Sequence, residues 1–198
     1  RPRATTPQRI APLATLPTFH KLAGRKVVLA GEGEGAVWKA ELLAATGADV
    51  VVFAERGGEA FAAIAAALAA GRLEIVQRRW RPDDLVGAAM AIAECDSEEE
   101  AAAFAAAARA AGAPVNVIDR PAFCDFQFGA IVNRSPLIVS ISTDGAAPVF
   151  GQSIRAKIEA LLPQSMQRWA EAARDWRADV QAREPTFAQR RGFWERFT

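Results

Sequence analysis

One run of residues has both the types and the spacing to do chemistry: Gly31-Glu32-Gly33-Glu34-Gly35-Ala36. It follows a short β-branched run, Val27-Val28-Leu29-Ala30, and opens a stretch with helical spacing. A glycine-rich turn between strand and helix lets backbone N–H groups and the helix dipole hold phosphate. Gly31 then permits the tight bend, Gly33 the close approach of a pyrophosphate, and Ala36 close helix–strand packing. Glu55 lies 24 positions after Gly31, just past the second β-branched run, where an acid accepts ribose hydroxyls. An acid there favours NAD over NADP, because a 2′-phosphate is repelled. Such turns also serve flavins, adenosylmethionine or packing alone. Glu32 and Glu34 count against phosphate, since they set two carboxylates in or beside the turn.

The remaining inventory narrows the chemistry. The chain has 198 residues, one His and two Cys. His20, Cys95 and Cys124 are too few and too separated for a closed zinc site, and a Ser-His-Asp triad would have to use His20. His20 has no partner implied by the sequence and reads as a surface or packing residue. Two cysteines make no disulfide framework, which points to a reducing, cytoplasmic setting. A net charge of +1 argues against broad electrostatic capture of nucleic acid. The alanine-rich runs at 62–70 and 101–111 are too short, and too interrupted, to cross a bilayer, so no membrane role is expected. Any chemistry therefore rests on carboxylates, backbone amides or a bound cofactor.

The elements that position these groups alternate. After residues 1–15, Pro- and Arg-rich and read as a mobile arm, strands are expected at 27–30, 50–54, 73–77, 90–93 and 115–118. Helices are expected at 36–46, 59–70 and 97–111, the last with Ser97 as N-cap and Glu98, Glu99 and Glu100 in its first turn. This rhythm predicts an α/β fold: a Rossmann-like parallel-sheet domain over residues 16–120. Beyond Pro121 the pattern changes to two β-rich runs, 126–132 and 137–142, joined by Asn133-Arg134-Ser135-Pro136 and read as an antiparallel pair. Residues 121–148 are taken as a small β-rich dimerisation region and 149–198 as a C-terminal helical domain broken near Glu184-Pro185. Trp169, Trp176, Phe187, Phe193 and Trp194 on that terminal segment suggest a subunit interface.

Several segments together resemble one family. They are Leu16-Pro-Thr-Phe19, the glycine turn with Lys39-Ala-Glu-Leu-Leu43, Val115-Asn-Val-Ile-Asp119, Ile131-Val-Asn-Arg-Ser-Pro-Leu-Ile-Val139, Ser142-Thr-Asp-Gly-Ala-Ala-Pro148, Ile158-Glu-Ala-Leu-Leu-Pro163 and Arg190-Arg-Gly-Phe-Trp-Glu-Arg-Phe197. Residues 16–198 are similar in this order to the precorrin-2 dehydrogenase/sirohydrochlorin ferrochelatase module of siroheme synthase. The resemblance implies NAD-dependent oxidation of precorrin-2 to sirohydrochlorin, then insertion of Fe²⁺ to give siroheme, in a homodimer built through the region after the Rossmann-like domain. In that family the module is fused to a uroporphyrinogen-III methyltransferase, which this sequence does not contain; a stand-alone chain or the front part of a longer one is expected.

Carried over by matching position, the cofactor contacts are Glu34 and Gly35 after the turn, Glu55 and Arg56 after the second strand, and Cys95 and Asp96 after the fourth. The family's key carboxylate falls on Asp119, where one proton acceptor could serve both oxidation and metallation. The bland alternative is that Asp119 merely caps a turn before Arg120-Pro121. Asp96 and Asp125 are competing carboxylates, and Cys95 reads as a small buried residue. For a substrate with eight carboxylates, the candidate contacts are Asn116, Arg120, Arg134, Ser142, Thr143 and Arg155, with Lys157 nearby. No permanent metal site is expected. The sequence departs from the family at Glu32, at Trp38 in place of an Arg, at Asp144 in place of a Gly, and at Gln152 in place of an Arg. These departures keep open a diverged paralogue that binds tetrapyrrole or metal without dehydrogenase turnover, or a dimerising scaffold for a methyltransferase.

Overall fold

A computed structural model describes residues 11–56, 58–145 and 147–197; the greater part of the expected N-terminal arm, residues 1–10, lies outside the described residues. The first of two units ends at Gln127. Its strands β1 (Lys26–Ala30), β2 (Asp49–Phe53), β3 (Arg72–Val76), β4 (Met90–Ala93) and β5 (Val115–Val117) all pair in parallel, in the order β3-β2-β1-β4-β5. A parallel sheet covered on both faces needs strands that are apolar throughout, and Val27, Val28 and Leu29 of β1 and Ala91, Ile92 and Ala93 of β4 are fully buried.

Helices α1 (Glu34–Ala44), α2 (Gly58–Ala67) and α3 (Glu98–Ala110) cover the sheet. α3 begins as its sequence requires: Ser97 Oγ accepts the Glu100 N–H at 3.1 Å, and three glutamates face the positive end of the dipole. Its Phe104 is fully buried and meets Trp80 edge-on, ring centroids 4.9 Å apart. The crossover from β3 to β4 carries one 3₁₀ turn, Pro82–Leu85, rather than an α-helix. Pro82 opens the turn, Asp84 accepts the Arg81 N–H and a forked pair of bonds from Arg78 (2.7 and 2.8 Å), and Leu85 plugs the core. In this order, β1 and β4 are the neighbours between which the chain reverses its direction of travel across the sheet. The crevice beyond the carboxyl ends of such strands is where open α/β sheets bind ligands.

The second unit begins at Phe128. β6 (Ala130–Arg134) and β7 (Leu137–Ile141) form the expected antiparallel pair, but Asn133 and Arg134 belong to β6, leaving Ser135-Pro136 as the turn. Helices α4 (Pro148–Leu161) and α5 (Met166–Arg183) both pack on this pair, so 128–148 and the helices form one unit instead of the two separate regions read from sequence. A two-stranded ribbon has too little surface to stand alone and needs a helix to cover it. α5 and α6 (Phe187–Phe197), split at Glu184-Pro185 as expected, share an aromatic cluster in which Trp169 and Trp176 meet Phe197 at 5.2 and 5.7 Å. Trp169, Trp176 and Phe187 remain more than half exposed.

Candidate functional site

The glycine turn leaves β1 at its carboxyl end. Gly31 has φ +143, and a Cβ there would lie 2.8 Å from Glu94 Cβ, so both conformation and space require glycine. The helix starts at Glu34 with Gly33 as N-cap, two residues earlier than expected from the pattern, because the chain turns sharply enough at Gly31 to enter helical geometry at once. Glu34 and Gly35 are thus in the first turn of α1, and fully buried Ala36 makes the close packing expected of it.

An open cleft of about 720 Å³ spans the carboxyl ends of β1, β2 and β4. It brings together Gly31, Gly33, Glu55, Arg56, Cys95 and Asp96 from among the expected cofactor residues. Glu34, Gly35 and Ala36 stand beside it on α1. Glu32 does not point into the phosphate position: its carboxylate accepts the Arg56 N–H at 2.6 Å and ties the turn to the end of β2. Glu55 pairs with Arg79 at 3.1 Å, both side chains largely exposed. One corner therefore carries an acid suited to ribose hydroxyls and a guanidinium suited to a 2′-phosphate. Cys95 is partly buried in the cleft wall rather than fully buried as expected; burial still pushes its thiol up to about 11, which keeps it protonated.

Several cleft residues escaped the sequence reading, Arg78, Arg79, Trp80 and Glu94 among them. Trp80 lines the cleft, whereas Trp38 is an exposed residue of α1. The most consequential one is Glu94, the residue that follows β4. Its Oε2 accepts the Gly33 N–H at 2.6 Å. A Cβ built on Gly33 would sit 2.5 and 2.6 Å from the two carboxylate oxygens, so the carboxylate fills the hollow that the absent side chain leaves. The turn's donors suit an anion, and the phosphates of a dinucleotide are of that class, but here the Gly33 N–H already holds the chain's own carboxylate.

Asp119 follows β5, the neighbour of β4, on the same sheet edge. It is exposed, with φ +57. Left-handed backbone is uncommon for a residue with a Cβ, although Asp tolerates it better than most. Cys124 supports the turn from beneath: its sulfur accepts the Val117 N–H and donates to the Val117 carbonyl, both at 3.2 Å. Lys39 of α1 lies within electrostatic range of Asp119. Burial lowers the Lys39 ammonium from 10.5 to about 8, against the opposing pull of Asp119 and Cys124. Nothing in the sequence linked Lys39 to Asp119, because the two are joined only by the fold.

The other candidates divide by what already engages them. Asn116 is buried and its amide donates to the Phe126 carbonyl at 2.9 Å. Arg120 donates to the carbonyls of Cys95 and Asp96, bracing the β5 end against the β4 end. Asp125 is held by Arg109 at 2.7 Å, which keeps its carboxyl below the usual range. Asp96 is exposed. His20 is exposed, its ring 6.4 Å from that of Phe126. In the second unit, Arg134 is only 5% exposed and donates to the Leu162 and Asn133 carbonyls, so its guanidinium is engaged in holding that unit together. Arg155 bonds Gln152 and Glu159 along α4, while Lys157 is exposed. Ser142 and Thr143 lie just past β7, the Ser142 hydroxyl accepting the Asp144 N–H at 3.1 Å.

Comparison with known proteins agrees with this geometry. Residues 165–198 match the "Sirohaem synthase dimerisation region", which covers the aromatic helices α5 and α6. Siroheme synthases of Psychrobacter arcticus and Stutzerimonas stutzeri are 39% and 43% identical over 92% and 91% of this chain. The chain spans only 33% and 38% of those relatives' lengths. A solved structure described as SirC, precorrin-2 dehydrogenase, has the same fold, with a TM-score of 0.74 over 90% of this chain and 86% of that one, at 18% identity. Residues 18–130, more than half the chain and the whole parallel sheet, match the family described as "Putative NAD(P)-binding", and the chain belongs to that family.

Proposed function

We propose that the chain binds NAD and oxidises precorrin-2 to sirohydrochlorin, with Asp119 as the proton acceptor, and that Fe²⁺, as a second substrate, is then inserted to give siroheme. The observation that carries this reading is Asp119 itself. It is an exposed carboxylate held in left-handed backbone at the end of β5, on the sheet edge that also bears the glycine turn. Unfavourable backbone of this kind concentrates where a side chain must be aimed.

When bound, the dinucleotide supplies the hydride acceptor. Gly31 and Gly33 let the backbone approach its phosphates, and Glu55 accepts from its ribose hydroxyls. Oxidation of precorrin-2 removes one hydride and one proton, and the proton passes to the Asp119 carboxylate. Insertion of Fe²⁺ displaces two pyrrole protons, for which the same carboxylate is the acceptor. Arg155, Ser142 and Thr143, with the exposed Lys157, are proposed as contacts for substrate carboxylates. Arg120, Asn116 and Arg134 contribute by holding backbone in place. A homodimer formed through the second unit is supported by the match of α5 and α6 to a dimerisation region and by their exposed tryptophans. The relatives support a methyltransferase acting with this module, and the two free thiols support a reducing, cytoplasmic setting.

A second reading, a paralogue that keeps the fold and binds tetrapyrrole without turnover, is favoured by one observation: Glu94 fills the phosphate hollow. The two readings separate on NADH formation. Wild type should reduce NAD⁺ only when precorrin-2 is present. Absence of NADH together with tight sirohydrochlorin binding would exclude the dehydrogenase. Chelation is followed separately, by the visible spectrum of sirohydrochlorin with Fe²⁺; full chelation by Asp119→Ala would remove that residue from metallation.

A further inference from the structure

We propose that Glu94 is a built-in occupant of the phosphate hollow, displaced when a dinucleotide binds, and that this side chain therefore sets the chain's dinucleotide affinity. The inference rests on the dinucleotide-binding reading above and adds to it a residue that acts against the cofactor.

The carboxylate is seated where a phosphate would be. Gly33 is the N-cap of α1, and its N–H points to Glu94 Oε2 at 2.6 Å. Both oxygens lie within 2.6 Å of the position a Gly33 Cβ would take, and Oε1 lies 3.3 Å from the corresponding point on Gly35. Glu94 thus covers Gly33, whose missing side chain allows the backbone to approach an anion, and reaches Gly35 beside it. A phosphate and a carboxylate cannot share those donors: they compete for the same N–H and repel each other.

The rest of the cleft offers little counter-charge to relieve this competition. Of the three arginines that line it, Arg78 is engaged by Asp84 and Arg79 by Glu55; Arg56 is tethered to Glu32 through its backbone N–H, which leaves its guanidinium as the counter-charge a phosphate could use. Asp96 and Glu100 add two further acids to the wall. Glu94 is nevertheless free to leave. It is bound to a backbone N–H on a loop edge and is only partly buried. Rotation about its side-chain torsions carries the carboxylate away from the hollow without moving β4.

The test is a binding titration of the intact chain with NAD⁺, ADP and adenosine, read by calorimetry and by the fluorescence of Trp80 in the cleft wall, for wild type, Glu94→Ala and Glu94→Gln. Glu94→Ala should bind NAD⁺ and ADP roughly 10- to 100-fold more tightly, the worth of a charge-assisted contact regained. Adenosine, which has no phosphate, should bind the two proteins equally. Glu94→Gln, which keeps the size and loses the charge, should fall between them, and it carries the test alone if the Ala variant does not fold. Equal or weaker NAD⁺ binding by a folded variant overturns the role of Glu94 while leaving the dinucleotide reading intact. No NAD⁺ binding by any of the three proteins overturns the dinucleotide reading, and this inference with it.

Discussion

Glu94 and Asp119 follow neighbouring strands, β4 and β5, at the same edge of one sheet, yet they meet opposite surroundings. Glu94 turns inward to a backbone N–H at 2.6 Å and fills a hollow made by two glycines. Asp119 stands exposed on left-handed backbone, braced by the Cys124 sulfur beneath its turn. One carboxylate has its donor supplied by the fold; the other, with the Lys39 ammonium in electrostatic range, is exposed to whatever enters from solvent. Position at a strand end is thus not enough to assign a role. What decides it is whether the fold has already provided the side chain with a partner.

This contrast breaks most decisively at Asp119. Asp119→Ala should lower precorrin-2-dependent NADH formation by about 10²–10⁴-fold, the usual worth of a positioned proton acceptor, while NAD⁺ binding stays at the wild-type level. At Glu94 the same substitution should act in the other direction on affinity, by the 10- to 100-fold given above, and should lower folding stability by about 1 kcal/mol through loss of the Gly33 bond. A urea melt checks the second part.

A smaller effect is expected at the ribose corner. Glu55→Ser removes the acid but leaves Arg79, so relative affinity should move toward NADP by about tenfold. An unchanged NAD to NADP ratio would mean that this corner does not contact the ribose.

Asp119→Gly sharpens the comparison further. Glycine accepts φ +57 without penalty, so the variant should gain up to about 1 kcal/mol of stability, less the entropy glycine loses on folding, while losing turnover. A less stable variant would show that Asp119 is a turn cap, which is the bland alternative. A separate signal is the pH dependence of Lys39. Burial lowers its ammonium from 10.5 to about 8 in the folded chain, so the unfolded chain binds more protons between those values. Stability attributable to Lys39 therefore rises with pH across that window. Cys95, pushed up from 9.0 to about 11 by burial, works in the opposite sense, so the quantity to follow is wild type minus Lys39→Met. That difference should climb from pH 8 to 10.5, and a flat difference would contradict the burial of Lys39.

Much of the architecture was legible from local pattern. Unbroken apolar runs announced a buried parallel sheet, and Ser97 followed by three glutamates announced α3. The glycine turn was legible because its function depends on backbone that only glycine permits. Glu94 was not, because its meaning depends on strand order. In sequence it lies 61 residues from Gly33, and only the β1–β4 pairing brings them together. The same holds for Lys39 beside Asp119. Glu32 was read against phosphate binding because its charge was visible and its partner, the Arg56 N–H, was not. Arg134 looked available for a substrate for the same reason, although the second unit buries it against the Leu162 carbonyl.

The central claim is most directly tested by anaerobic incubation of the purified chain with NAD⁺ and precorrin-2, following absorbance of NADH for wild type and Asp119→Ala side by side. The account predicts NADH formation that requires precorrin-2 in the wild type and falls by at least about 100-fold in the variant. Equal NADH formation by both proteins would contradict the role given to Asp119, and none from either would contradict the dehydrogenase.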